Sequence, residues 1–309
     1  MDRPIQIGLV GYGKIARDQH APALRRNPAF QLVAAADPIA QGGDIAIYPT
    51  LEAMLDACPD IEAVAVCTPP VARRALASAA LARGKHVLLE KPPAASLSEV
   101  EALRQQAQSM GLTLFAAWHS RFAAAVAPAR LVLAHRRLRY VKIDWREDVR
   151  HWHPGQAWIW RPGGLGVFDP GINALSIATA ILPRPFFVTG ADLHFPANCE
   201  APIAADLAFA DANGLAIIAG FDWLQTGPQT WDIVIETDEG RVELQQGGSR
   251  LIVDGVVLVD AADVEYPGVY QRFAELIASG ASDVDVAPLR QVADAFLLGR
   301  RHVAAPFED

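Results

Sequence analysis

A short apolar run that breaks into glycine narrows the fold of this chain more than any other feature. Ile5-Gln6-Ile7-Gly8-Leu9-Val10 has the apolar density of a buried strand, and Gly11-Tyr12-Gly13-Lys14-Ile15-Ala16 follows without a spacer and opens a helical segment. G-x-G-x-x-A between a strand and a helix reads as a dinucleotide-binding turn. The first glycine permits the tight turn, the second lets backbone N–H groups approach a pyrophosphate, and Ala16 is small enough for close helix–strand packing. Gly11, Tyr12, Gly13, Lys14 and Ile15 are therefore candidate cofactor-binding residues.

The alternation continues. Gln31-Leu32-Val33-Ala34-Ala35-Ala36 ends in Asp37, roughly 20 residues past the loop, where an acid binds a ribose 2′-hydroxyl. Residues 38–44 hold no Lys or Arg for a 2′-phosphate, which favours NAD, with NADP as the alternative. Asp37-Pro38 also suits a turn, and both readings can hold together. A helical segment over 51–57 precedes the strand Ala63-Val64-Ala65-Val66-Cys67, closed by Thr68-Pro69-Pro70. After a helix to Leu81, His86-Val87-Leu88-Leu89 ends in Glu90-Lys91-Pro92-Pro93, and a last strand, Leu112-Thr113-Leu114-Phe115-Ala116-Ala117, leads into Trp118-His119-Ser120-Arg121. Strands alternating with helices predict a parallel, doubly wound α/β sheet of Rossmann type that binds ligands at its strands' carboxyl ends. Thr68, Pro69, Glu90 and Lys91 join the cofactor candidates on that ground. Lys91, at the end of an apolar strand and stiffened by two prolines, sits where the nicotinamide end belongs.

From about residue 122 the texture changes to strand-like runs joined by hairpin signals such as Asp238-Glu239-Gly240 and Asp254-Gly255. The expectation is a dinucleotide-binding domain over 1–121 and an α+β domain over 122–309 with an open, mostly antiparallel sheet. An apolar face left open seeks cover, which predicts a homo-oligomer, a dimer first of all. Residues 144–160 hold four of the seven tryptophans together with His151, His153 and Glu147. Indole faces beside carboxylate and imidazole groups suit a sugar, with its apolar C–H face and rim of hydroxyls. Some of these tryptophans seal a core; Trp152, flanked by two histidines, is the candidate for the site.

Composition excludes other classes. With 309 residues, 51% hydrophobic and 20% charged, the chain can bury two cores. A net charge of −8 without a basic block argues against nucleic acid. No apolar run of membrane-spanning length occurs and Met1-Asp2-Arg3-Pro4-Ile5 carries no signal region, while Cys58, Cys67 and Cys199 lack paired spacing. A cytoplasmic protein is expected. His151-x-His153 lacks a suitably spaced third ligand, so no metal is expected.

Asp169-Pro170 before an apolar run first reads as a helix cap. With Gly11-Tyr12-Gly13-Lys14-Ile15-Ala16, Thr68-Pro69-Pro70, Glu90-Lys91-Pro92 and Gly163-Gly164 leading to Asp169-x-Gly171, however, the chain resembles the glucose-fructose oxidoreductase/inositol dehydrogenase (Gfo/Idh/MocA) family. Trp118-His119-Ser120-Arg121, Glu147-Asp148-Val149-Arg150, residues 152–160 and Phe168-Asp169-Pro170-Gly171-Ile172-Asn173 resemble its branch of D-galactose and L-arabinose 1-dehydrogenases.

The resemblance implies NAD(P)-dependent oxidation of an aldose C1 hemiacetal to a lactone, D-fucose included, and a last helix over 289–300 returning to the first domain. It makes Lys91, Asp169 and Asn173 catalytic and His119, Glu147, Trp152 and His153 substrate-binding. The family usually carries His four residues after the Asp, where this chain has Asn173. An amide accepts no proton at neutral pH, which leaves Asp169 or Lys91 as the base. Another sugar or inositol dehydrogenase, or a non-catalytic dinucleotide-binding regulator, are the alternatives.

Overall fold

A computed structural model describes residues 3–40 and 44–308. Part of the stretch read for cations after Asp37, residues 41–43, and the first two residues lie outside the described residues. The chain forms two units, Met1–His119 with Tyr266–Val286, and Ser120–Glu265 with Ala287–Asp309.

In the first unit, strands β1 (Ile5–Val10), β2 (Phe30–Ala36), β3 (Ala46–Tyr48), β4 (Ala63–Val66), β5 (His86–Glu90) and β6 (Leu114–Ala117) form one sheet in the order β3-β2-β1-β4-β5-β6. Every pairing is parallel. The order reverses between β1 and β4, which opens a crevice at their carboxyl ends. Helices α1 (Ala21–Arg26), α2 (Leu51–Ala57), α3 (Pro70–Ala82) and α4 (Leu97–Ser109) make the crossovers. Thr50 and Ser96 cap α2 and α4 through their hydroxyls. β4 is buried at every position, as a strand covered on both faces requires.

The second unit is built on a nine-stranded sheet. Its strands are β7 (Leu138–Arg146), β8 (Phe186–Pro196), β9 (Ala204–Asp211), β10 (Ala216–Asp222), β11 (Thr230–Thr237), β12 (Gly240–Gln245), β13 (Arg250–Val253), β14 (Val256–Asp260) and β15 (Arg300–Ala304), in the order β14-β13-β12-β11-β7-β10-β9-β8-β15. The sheet is mixed: β10–β7 and β15–β8 are parallel and the other pairs antiparallel. Residues alternate along β7, with Val141, Ile143 and Trp145 buried. Helices α5 (Val126–Leu133), α7 (Phe168–Ile181) and α9 (Ala287–Leu298) pack together and on this sheet, and a short α6 (Val149–Trp152) follows β7. The opposite pleat carries Lys142, Asp144, Arg146 and Asp206, with Lys142 and Arg146 paired to Asp144 at 2.7 and 3.3 Å. That face is therefore more ionic than the apolar surface expected.

One expectation is corrected. The segment that rejoins the first unit is Tyr266–Val286, with helix α8 (Glu265–Ser279), and not the helix over 289–300. Tyr266, Val269, Tyr270, Phe273 and Ala274 recur at helical spacing and are buried. Phe273 stacks on Phe30 and Phe115 at 5.8 and 6.1 Å. The segment after α8 also extends the sheet, since Asp283 exchanges backbone hydrogen bonds with the β6 edge. Helix α9 instead buries Leu289, Val292 and Ala295, packs on β8 and α7, and ends where Arg300 enters β15.

Candidate active site

The glycine-rich turn lies at the carboxyl end of β1. Gly11 has φ +86°, and a Cβ there would stand 2.9 Å from Thr68 Cγ2 and 3.0 Å from Thr68 N. Only glycine fits both demands. Gly13 differs: a Cβ built on it meets nothing within 4 Å among the described residues. Its lack of a side chain serves nothing in the protein's own packing and leaves open the approach a pyrophosphate needs.

Asp37 stands at the carboxyl end of β2. Its Oδ2 accepts Tyr12 N at 2.7 Å, and its Oδ1 accepts Ile39 N and Ala40 N at 2.8 and 2.9 Å. The acid thus forms the expected turn and ties it to the glycine loop. Burial pushes its carboxyl up, but those three N–H groups and the charge of Arg17 outweigh burial and hold it below the usual range. Arg17 also donates to Tyr12 O at 3.2 Å. This cation lies on the helical turn after the glycines and reaches Asp37 from there, not from the loop after β2. Lys14 and Ile15 are exposed, and Lys14 pairs with Asp18. Thr68 Oγ1 is buried without a hydrogen-bond partner among the described residues. Open space over Gly13, an ionised Asp37 and the Thr68 hydroxyl at adjoining strand ends fit an NAD-type dinucleotide.

Glu90, a cofactor candidate by sequence, lies inside the first unit. Its carboxylate is buried and accepts from Tyr266 Oη at 2.6 Å and from the backbone N of Lys91 at 2.7 Å. It shapes the loop from beneath, because its oxygens are already engaged inside the unit. Burial pushes this carboxyl up, while His20, His119 and Tyr266 bring it well below the ordinary range. Arg73, also buried, donates to the Glu90 carbonyl at 2.6 Å and to the carbonyls of Pro92 and Thr68. Two cofactor-side loops are thereby joined by one guanidinium. His119, a sugar candidate, stacks on Tyr266 at 5.3 Å and acts on the Glu90 carboxyl through its charge.

Those candidates converge in the second unit. After β7, Glu147 N donates to Asp222 O and Val149 N to Trp223 O, which pins the loop to the end of β10. Asp148 caps α6 by accepting Arg150 N at 2.9 Å, and the helix ends at His153. Glu147 is 3% exposed, and its two oxygens accept the indole N–H groups of Trp223 and Trp231 at 3.1 and 2.9 Å. Its first task is to hold two tryptophans. His153 lies over Trp223 at 5.3 Å, with Nε2 3.9 Å from Glu147 Oε1 and 3.6 Å from Asp169 Oδ2. Trp152 leans on Trp231 at 5.1 Å, and Trp231 stacks on Trp145 at 5.9 Å. Trp223 and Trp231 were not anticipated: they come from the ends of β10 and β11, and only pairing with β7 brings them beside residues 144–160.

Helix α7 starts at Phe168, so Asp169 stands inside its first turn and is not the cap. The cap reading is corrected: no side chain caps this end, and Asp169 N itself bonds Gly166 O at 2.8 Å. Asp169 is 4% exposed, and the helix end favours its negative charge. One turn on, Asn173 is half-buried on the same face. The unit thus offers a buried carboxylate beside an imidazole, an amide and a wall of indoles. Such a group can take a proton from a hydroxyl on a molecule with an apolar face. Among the described residues no group of three or more His, Cys, Asp or Glu could hold a metal ion, and no helix is long and apolar enough to cross a membrane.

Comparison with known proteins agrees with this architecture. The GFO_IDH_MocA family, an oxidoreductase family with an NAD-binding Rossmann fold, matches residues 5–117. Galactose 1-dehydrogenase of Pseudomonas fluorescens is 48% identical over 309 residues, covering 99% of this chain and 100% of the relative. The crystal structure of a D-galactose-1-dehydrogenase protein from Rhizobium etli superposes with a TM-score of 0.95 at 55% identity, covering 100% of this chain and 99% of that one. A 3-ketoreductase from Actinomadura kijaniata, solved with NADP, has a TM-score of 0.80 at 20% identity over 97% of this chain and 99% of its own, and shares the fold. The chain belongs to the Gfo/Idh/MocA family of NAD-binding oxidoreductases.

Proposed function

We propose that this chain is an aldose 1-dehydrogenase that oxidises the C1 hemiacetal of D-galactose to the lactone, with NAD as acceptor and NADP as the alternative. The observation that carries the reading is Asp169, a buried carboxylate in the first turn of α7, 3.6 Å from His153 and in a unit walled by tryptophan. The end-to-end similarity to galactose 1-dehydrogenases supports galactose as the sugar. L-Arabinose and D-fucose share its configuration at C2, C3 and C4 and belong to the same proposal.

The nicotinamide supplies the acceptor for the hydride that leaves C1. Asp169 takes the proton of the C1 hydroxyl, Asn173 orients that oxygen, and protonated Lys91 stabilises the alkoxide as it develops. His153 and Trp152 read the ring, and Glu147 holds the indoles against which it lies. A dimer through the open face of the nine-stranded sheet is part of this reading. Phe187 and Ile218, 52% and 38% exposed, give that face apolar ground among its ion pairs, and light scattering tests it. Three free cysteines suit a reducing, cytoplasmic setting.

The test is a matrix of galactose, arabinose, fucose, glucose and inositol against NAD and NADP, followed by Asp169→Ala and Asn173→Ala. Galactose should be turned over best. Losing the base should lower kcat by about 10²- to 10⁴-fold. Near-normal kcat in Asp169→Ala would refute the assignment.

A further inference from the structure

Beneath the Glu90-Lys91 loop lies a polar cluster that hydride transfer does not itself require. His20, fully buried, closes the helical turn that follows the glycine loop. Its Nε2 is 3.1 Å from Glu90 Oε1 and its Nδ1 is 2.7 Å from Tyr270 Oη. Tyr266 donates to the same Glu90 oxygen at 2.6 Å, and its ring meets the His20 ring edge-on at 4.8 Å. The other Glu90 oxygen accepts Lys91 N at 2.7 Å. Burial pushes the His20 imidazole down, but Cys67 and Glu90 beside it outweigh burial and raise it to about 10. The direction of that shift favours an ion pair between His20 and Glu90.

A carboxylate that reaches forward to the next residue's N–H fixes the backbone from which Lys91 projects. It does so only while its own position is fixed, and here two donors on one oxygen fix it. Burying a charge in a core is costly unless each lone pair is met. The cluster draws His20 from the cofactor turn, Glu90 from the end of β5 and Tyr266 from α8. Tyr266 opens the segment that rejoins the first unit. We propose that His20 and Tyr266 are positioning residues for Lys91, holding the Glu90 carboxylate that anchors the Lys91 backbone. The proposal rests on the catalytic role given to Lys91 above.

The experiment uses the full chain with His20→Gln and Tyr266→Phe, each alone and in a Lys91→Ala background. Kinetics are read with galactose and with galactose deuterated at C1, and hydrogen exchange is read on the peptide spanning Lys91. A loosened anchor should speed exchange of the Lys91 amide by about tenfold while the global unfolding midpoint stays within the folded range. It should lower kcat by about ten- to hundredfold for His20→Gln and less for Tyr266→Phe, because small misplacements of a catalytic group are expensive. Galactose KM should stay within about twofold and the deuterium effect on kcat should rise. With Lys91 already removed, the same substitutions should cost little more. Unchanged Lys91 exchange in a folded variant overturns the proposal, as does a kcat loss that recurs in full in the Lys91→Ala background. If His20→Gln does not fold, Tyr266→Phe, which removes one oxygen and keeps the ring, decides. A wild-type chain inactive on every sugar refutes the dehydrogenase reading, and the exchange result still decides the anchor.

Discussion

Gly171→Ala sets two well-characterised effects against each other at the site itself. Gly171 lies in the first turns of α7, two residues after Asp169 and two before Asn173. Alanine in a helix interior is favoured over glycine by roughly 1 kcal/mol, so propensity alone predicts a more stable protein. A Cβ on Gly171 would, however, stand 2.6 Å from Phe221 Cδ2, 2.7 Å from Cε2 and 3.0 Å from Cγ. That ring is 2% exposed and held edge-on by Phe168 at 5.8 Å, so it has no free direction in which to yield. Overpacking of this kind costs about 1–3 kcal/mol. The expected net effect is a loss of up to about 2 kcal/mol. The relief route is a shift of the helix start away from β10, which carries Asp169 and Asn173 with it. A displacement of about half an ångström should lower kcat by roughly tenfold. Urea unfolding and steady-state kinetics with galactose read both quantities. A variant about 1 kcal/mol more stable than the parent with unchanged kcat would refute the reasoning, since it would mean that α7 has slack at Phe221.

Other residues give further outcomes. His20 binds its proton more tightly folded than unfolded, so its contribution is fully present below pH 6.5 and is lost as pH rises towards about 10. Glu90, depressed in the folded state, loses its contribution as pH falls through the acid range. The urea midpoint should fall between pH 6.5 and 10, and His20→Gln should flatten that slope; an unchanged slope would show that His20 is not charged in the folded state. Arg17→Ala removes the cation that acts on Asp37, so the Kd of NADP in a fluorescence titration should rise more than that of NAD. Equal weakening would assign Arg17 to the loop alone. Glu147→Ala leaves the Trp223 and Trp231 N–H groups without their acceptor, at about 1–3 kcal/mol each where water cannot reach. Tm should fall and galactose KM rise; a variant with both unchanged would remove Glu147 from the site.

What could be read beforehand follows the distance along the chain over which each feature is encoded. The dinucleotide half is local: each strand, turn and helix is a contiguous run, and the parallel order follows from their alternation. Gly11, Asp37, Thr68 and Lys91 could be placed at strand ends from that alternation alone. In the second half the strand rhythm is less regular: β8 carries a bulge between Val188 and Gly190 that breaks its two-residue alternation. β15 has no alternation to read, because Arg300, Arg301, His302 and Val303 are all exposed and no buried face marks it as a strand.

Harder to read are residues whose bonding partner lies far away in sequence. Glu147 looked like a sugar ligand because it stands among tryptophans in sequence, yet the indoles it holds, Trp223 and Trp231, arrive from β10 and β11. Glu90 looked like a cofactor ligand because it neighbours Lys91, yet Tyr266 and His20 share one of its oxygens from 176 and 70 residues away, and the other accepts the Lys91 N–H. Helix α8 shows the same limit at the scale of an element, since its apolar stripe proves a buried face without naming the sheet that buries it. In each case a polar or apolar group had to be matched inside the core, and the match was made by the fold. Groups whose bonds are met elsewhere in the protein hold the site in shape. Glu147 and Glu90 do so through Trp223 and Trp231 and through His20 and Tyr266, and in the function proposed above they support the chemistry given to Asp169, His153 and Asn173.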